Sequence, residues 1–338
     1  MRRDRSTRLL SAPFIAPMKS KILITRQVFP EVVETLSQTF DVDHNERDDI
    51  FTAEALRARA AGCIGVIACL TEKIDAAFFD ACPSVKVVCN IAVGYNNIDL
   101  AEASKRGVMA TNTPGVLDDT TADLAFALLM ATARRVTETE ARLRRGEWKK
   151  GFALQQWLGT DVHHARLGII GMGRIGQTIA KRASGFEMDV SYYNRTPLDA
   201  ATETRLNVRY AGKDDILKQS DFVLVMVPYS KDTHHLIGAA ELALMKPGAI
   251  FINTARGGVA DDVALIAALK DKRIAGAGID VFENEPALHA DFLTLDNVVL
   301  TPHIGSATRA TRMNMALLAA KNLTLALRGD TPPNLINR

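Results

Sequence analysis

Three side chains, far apart in a chain of 338 residues, have the types needed to reduce a carbonyl beside a carboxylate: Arg256 in INTARGG, Glu285 in GIDVFENEP and His303 in TPHIGSAT. An arginine clamps the carboxylate and polarises the neighbouring carbonyl. An imidazolium delivers a proton as hydride arrives, and a carboxylate beside it favours its charged form. Taken singly each has a plainer use: Arg256 in a loop salt bridge, Glu285 as a solvated acid before Pro286, His303 as a polar residue leading a helix.

Such groups meet only if the elements before them end along one edge. Each motif follows a short apolar run: Ala249–Asn253, Ala275–Val281 and Val298–Thr301 read as strands, as do Asp189–Tyr193 and Phe222–Val227, with helices such as Asp261–Lys270 between. Strands separated by single helices describe a doubly wound parallel sheet, whose strand C-termini open onto a ligand crevice. The series starts at LGIIGMGRIG, where a strand through Leu167, Ile169 and Ile170 meets Gly171, Gly173 and Gly176 at G-x-G-x-x-G spacing, before a helix-permissive run. The first glycine allows the turn, the second lets a diphosphate approach the backbone, and the third lets the helix pack closely; the helix N-terminus faces the anion.

The end of the second strand of this unit selects the dinucleotide. A carboxylate there would bind the ribose hydroxyls and repel a 2′-phosphate, but the sequence reads YYNRTP. Asn194 removes the charge, Arg195 supplies a guanidinium fork for a 2′-phosphate and Thr196 a hydroxyl, which favours NADPH while leaving NADH possible. The alternative is that Arg195 is a surface arginine.

The first third also alternates: strands at Lys21–Thr25, Ile64–Ala68 and Val85–Asn90, helices at Glu31–Phe40, Ala53–Arg59 and Ala76–Ala81. Gly94 follows the last strand, where backbone N–H groups either face a ligand carboxylate or simply make a strand-to-helix turn. Asn112–Gly115 breaks the pattern and marks a domain crossing. Thr121–Arg145 then reads as one long helix, followed by an arm with Trp148 and Trp157 suited to a subunit contact.

Composition narrows the class. Hydrophobic residues make up 47% of the chain, enough for about two cored domains, and 41 Lys plus Arg nearly balance 39 Asp plus Glu, so no nucleic-acid or membrane partner is indicated. No apolar run reaches membrane-spanning length. Cys63, Cys69, Cys82 and Cys89 lack paired spacing and read as reduced, buried thiols of a cytoplasmic protein. His163 and His164 are adjacent, so their side chains diverge and no metal is expected. Residues 1–17, Arg-rich and faintly like a transit peptide, read as a disordered extension, with an alternative start at Met18.

GMGRIG, NTARGGV, GIDVFENEP and TPHIGSAT, in that order and spacing, resemble the D-isomer-specific 2-hydroxyacid dehydrogenase family from about Met18 to the C-terminus. WLGTDVHH, NRT and the helix after PHIGSAT resemble its glyoxylate/hydroxypyruvate reductase and 2-ketogluconate reductase branch. The resemblance implies an α/β fold of two Rossmann-like domains with a cleft between them: 18–113 plus 302–338 for substrate, 114–301 for the dinucleotide. It makes Arg256 the substrate clamp, His303 the proton donor and Glu285 its partner. Val93 and Gly94 would offer N–H groups to the substrate carboxylate, and Leu70 would line the pocket.

For the cofactor it assigns Arg174 and Ile175 to the diphosphate. Thr254, Ala255 and Asp280 take the nicotinamide half, with Asp280 accepting from its carboxamide; Val227, Pro228 and Gly305 join the same site, as do Arg256 and His303. It implies a homodimer through the long helix and arm. Asn194 departs from the acid found in most members. The expectation is NADPH-dependent reduction of glyoxylate, hydroxypyruvate or 2-ketogluconate to D-2-hydroxy acids. The alternatives are an NAD-dependent enzyme of D-lactate or D-glycerate type and a non-catalytic dinucleotide sensor like the corepressors that share the fold. With the chain ending at Arg338, no regulatory domain is expected.

Overall fold

In the computed structural model, which describes residues 19–337, two parallel sheets carry the chain. The N-terminal extension expected over 1–17, and Met18, lie outside the described residues. The first sheet holds β1 (Lys21–Ile24), β2 (Asp41–His44), β3 (Gly65–Ala68), β4 (Val87–Asn90) and β5 (Met109–Thr111) in the order β2-β1-β3-β4-β5. The second holds β6 (Arg166–Ile170), β7 (Asp189–Tyr193), β8 (Val208–Tyr210), β9 (Phe222–Val225), β10 (Ile250–Asn253), β11 (Gly276–Ile279) and β12 (Val298–Leu300) in the order β12-β11-β10-β9-β6-β7-β8.

Sequence dictates why these are parallel sheets. Every residue of β3, β4, β9, β10 and β11 is buried, so neither face can meet water and helices must cover both. Four apolar clusters do this, two to each sheet. The register matters more for function. Ile170 pairs with Val225, Val225 with Asn253, Asn253 with Ile279, and Ile279 with Leu300. The strands therefore end level, and the residues that follow them form one row along the sheet edge. The order reverses between β9 and β6, which is where a doubly wound sheet opens its crevice.

The helix Asp118–Ala133 packs on β10 and β11 and against the helix Arg174–Ala183. The expected single helix over 121–145 is two, because Arg135 adopts a left-handed backbone (φ 53°) and the chain restarts as Val136–Arg144. The guanidinium of Arg135 grips both carboxylate oxygens of Glu138 at 2.8 Å, which fixes the break. The last helix, Arg309–Arg328, returns to the first sheet. Thr308 caps it, Gly329 ends it at φ 91°, and Ala316, Ala319 and Leu323 lie against Ile22, Ile67 and Val87. The hydroxyls of Thr120 and Thr311 meet at 2.6 Å, and Asn322 donates to the Asn112 carbonyl at 3.2 Å, tying the crossing segments together.

One expectation needs amending. Cys63, Cys82 and Cys89 are free and buried, but Cys69 is only partly so. Trp148 is exposed on the arm, whereas Trp157 is half-buried.

Candidate functional site

The glycine turn is built for something outside the chain. Gly171 takes φ 107°, and a Cβ there would lie 2.5 Å from the Met226 carbonyl oxygen and 2.9 Å from Val227 Cγ1. A Cβ on Gly176 would lie 2.3 Å from the Gly171 oxygen. Folding alone thus requires these two glycines. Gly173 differs: its backbone is extended at φ −74°, and a Cβ would meet nothing within 4 Å. Neither backbone nor packing demands glycine there, so the cradle it leaves fits an approaching diphosphate.

Gly173 also gives the helix Arg174–Ala183 no side-chain cap, leaving its first N–H groups for an anion. Ile175 is half-buried in this first turn. Arg174 faces Asp118, with Nε 3.4 Å from Oδ2; burial pushes the Asp118 carboxyl above its ordinary range, against the pull of Arg174. Asn194, at the end of β7, accepts the Met172 N–H at 2.7 Å, so it holds the turn from behind. Arg195 and Thr196 are exposed, and Arg195 has no ion pair among the described residues.

Along the edge the three reacting types come together. His303 Nδ1 lies 2.7 Å from Glu285 Oε2, and His303 Nε2 lies 3.5 Å from Arg256 Nη1. Glu285 also accepts the Phe282 N–H at 2.9 Å. Burial would raise its carboxyl, but the hydrogen bond and charge of His303, the Phe282 N–H and the Arg256 charge outweigh that and hold it below the usual range. Burial lowers the Arg256 guanidinium, while Glu285 and Asp280 oppose the shift. No carboxylate pairs directly with Arg256 among the described residues, and its Nε is buried without a partner. Nη1 donates to the Ala255 carbonyl at 3.1 Å, and no acceptor among the described residues takes Nε or Nη2, the side open to a ligand carboxylate. In the same segment the Thr254 hydroxyl is buried and unpartnered beside buried Ala255.

Asp280, expected at the nicotinamide half of a cofactor, is bonded within the protein. Its carboxylate accepts from Thr301 Oγ1 at 2.7 Å, Ile304 N at 2.8 Å and Gly305 N at 2.9 Å. It thereby builds the turn on which His303 sits with a left-handed backbone at φ 52°. Such a conformation costs about 1–3 kcal/mol for a non-glycine residue and persists only where neighbours over-determine it.

The other wall comes from the first sheet. A Cβ on Gly94 would fall 2.4 Å from Arg256 Nη2, so the guanidinium lies directly against this turn, and a side chain there would push it aside. Sequence reasoning missed what holds the turn. Asn90 Nδ2 donates to the Gly94 carbonyl at 2.8 Å, and Asn97 Nδ2 donates to those of Cys69 at 2.8 Å and Glu72 at 3.1 Å. Buried Glu72 accepts from Thr25, Thr71 and the Cys69 N–H, fixing the loop that carries half-buried Leu70. Asn112 anchors Val93 through its carbonyl at 2.8 Å. The asparagines in CNIAVGYNN, polar groups at a buried strand end, were the available signal. Val227 lies on the glycine turn, and the Pro228 carbonyl accepts from Thr233 at 2.8 Å.

Comparison with known proteins gives the family. Residues 126–305 match the family described as D-isomer specific 2-hydroxyacid dehydrogenase, NAD binding domain. The chain is 50% identical over 325 residues to the glyoxylate reductase of Pyrococcus horikoshii, covering 95% of this chain and 97% of that one. A glyoxylate reductase from Paecilomyes thermophila superposes with a TM-score of 0.85 at 31% identity, over 95% of this chain and 99% of that one. An NADPH-dependent glyoxylate/hydroxypyruvate reductase from Sinorhizobium meliloti, solved with NADP and malonate, gives 0.82 at 33% identity, over 94% and 97%. With two Rossmann-like sheets and a site suited to a nicotinamide dinucleotide, the chain belongs to the D-isomer-specific 2-hydroxyacid dehydrogenase family.

Proposed function

We propose that the protein reduces small 2-keto acids, with glyoxylate and hydroxypyruvate ahead of 2-ketogluconate, to D-2-hydroxy acids using NADPH. One observation carries the reading: Glu285, His303 and Arg256 form a continuous string at 2.7 and 3.5 Å, and the guanidinium closes against the Gly94 turn. A reduced nicotinamide bound along this edge supplies hydride. Arg256, with the Val93 and Gly94 N–H groups, holds the substrate carboxylate and draws charge from the adjoining carbonyl. Glu285 takes the Nδ1 side of His303, leaving Nε2 to give its proton to the forming hydroxyl oxygen.

The choice of NADPH rests on Asn194 being committed to the glycine turn while Arg195 and Thr196 stand exposed beside it. Similarity to relatives named as glyoxylate reductases supports the choice of substrate. We also place the protein in a reducing compartment, the cytoplasm, where free thiols persist. We further infer that it is a homodimer, since Trp148, Phe152, Leu154 and Leu158 expose apolar surface on one arm.

The test is steady-state kinetics of purified protein over a panel of 2-keto acids with NADPH and NADH. Turnover of glyoxylate and hydroxypyruvate, with higher kcat/KM for NADPH, is expected. No turnover on any 2-keto acid would refute the activity, and an NADH preference would refute the role of Arg195. Light scattering on the same preparation should read twice the chain mass; a monomer would refute the arm's role.

A further inference from the structure

A second histidine, besides His303, grips the segment that carries Glu285. Glu283 and Glu285 lie two residues apart in GIDVFENEP, and their carboxylates go to different partners. Glu285 Oε2 lies 2.7 Å from His303 Nδ1, while Glu283 Oε1 lies 2.7 Å from His235 Nε2. The other ring nitrogen of His235 faces Asp261 Oδ2 at 3.8 Å. One imidazole thus bridges two acids, one nitrogen to each, at about one-third exposure.

The bridge is anchored at both ends. On the histidine side, His235 N donates to the Gly258 carbonyl at 2.7 Å, and Ile237 pairs with Ala260, so the 235–237 stretch runs alongside the chain just after Arg256. On the acid side, Glu283 N donates to Asp262 Oδ2 at 3.0 Å. The segment is also pressed against the residue after Arg256, for a Cβ on Gly257 would fall 1.7 Å from the Phe282 carbonyl oxygen. There is little slack between Glu283 and the reacting string.

Charge points the same way. Asp261, Asp262 and Glu283 converge, and the Asp262 carboxyl is pushed up to about 6 by burial and by its two acidic neighbours, against the Glu283 N–H and the more remote His289. The imidazoles facing this group are those of His235 and, stacked on it at 3.9 Å, His234, whose Nδ1 lies 3.3 Å from the Tyr229 hydroxyl. Without the His235 bridge, the Glu283 carboxylate keeps only the Asp262 N–H at 3.4 Å, beside the carboxylates of Asp261 and Asp262, and its hold on the segment that carries Glu285 weakens.

We propose that His235 is a positioning residue: its bridge from Asp261 to Glu283 clamps the Val281–Pro286 segment and so holds Glu285 in register with His303. The inference rests on the proposed reduction only for its kinetic consequence. His235→Ala should lower kcat roughly 10- to 100-fold, as small misplacements of reacting groups do, and leave cofactor affinity within about twofold. His235→Gln, which keeps a donor for Glu283, should recover most of the rate.

A second readout needs no turnover. In protein labelled with carbon-13 at glutamate carboxyls, Glu285 should titrate below the usual range in the wild type; His235→Ala should move it up towards that range, and His235→Gln should restore it. An unmoved Glu285 titration, or a rate loss matched by lost cofactor affinity, would overturn the inference. If His235→Ala does not fold, Glu283→Gln weakens the same bridge and carries the same two predictions. A wild-type protein inactive on every keto acid would defeat the proposed function, while the titration would still decide this inference.

Discussion

Asp262 and Glu285 are two carboxyls near one loop whose titrations shift in opposite directions. Glu285 is held low by its partners, so its stabilising contribution is full above the ordinary carboxylate range and is lost as pH falls through its depressed value. Asp262 is raised from 3.8 to about 6, so between those values the native state binds more protons than the unfolded chain, and its contribution is lost as pH rises. Asp262→Asn can still accept the Glu283 N–H. It should therefore stabilise the protein at pH 7 by roughly 1–3 kcal/mol and leave it nearly unchanged at pH 4. Denaturant unfolding at the two pH values checks this; a variant less stable at pH 7 would contradict it. Asp262 had no signal in the sequence, because its shift arises first from burial and then from the Glu283 and Asp261 side chains that the fold brings against it. Arg256, Glu285 and His303 were legible because their chemistry is distinctive and each follows an apolar run.

At the scale of elements, legibility followed apolar content. β9 and β10 are fully buried and stood out, while β2 (DVDH) is a polar edge strand with no periodic signal, and β5 and β8 are three residues long. The break at Arg135 was hidden because no glycine or proline marks it. The glycine turn supplies an element-scale prediction. Gly176→Ala drives a Cβ into the Gly171 oxygen and should lower Tm by several degrees, whereas Gly173→Ala meets no protein atom and should leave Tm within about 2 °C. The same Gly173→Ala should weaken dinucleotide binding at least about tenfold, since its methyl occupies the anion's approach. Calorimetric melting and titration separate the two effects; wild-type affinity in Gly173→Ala would remove the turn from cofactor binding.

For the molecule as a whole, function depends on two sheets closing on one point. The second sheet delivers Arg256, Glu285 and His303 through the level ends of β10, β11 and β12, and the first delivers the Gly94 turn onto the guanidinium. That meeting is non-local: Gly94 and Arg256 are far apart in sequence, and Asn97 reaches back to the carbonyls of Cys69 and Glu72. The measurement that tests the account most directly is the rate of NADPH oxidation by glyoxylate for His303→Ala beside wild type, with cofactor affinity measured on both. A rate loss of roughly 10² to 10⁴ with cofactor affinity retained is predicted, the usual effect of removing a general acid. A variant turning over near the wild-type rate would contradict it.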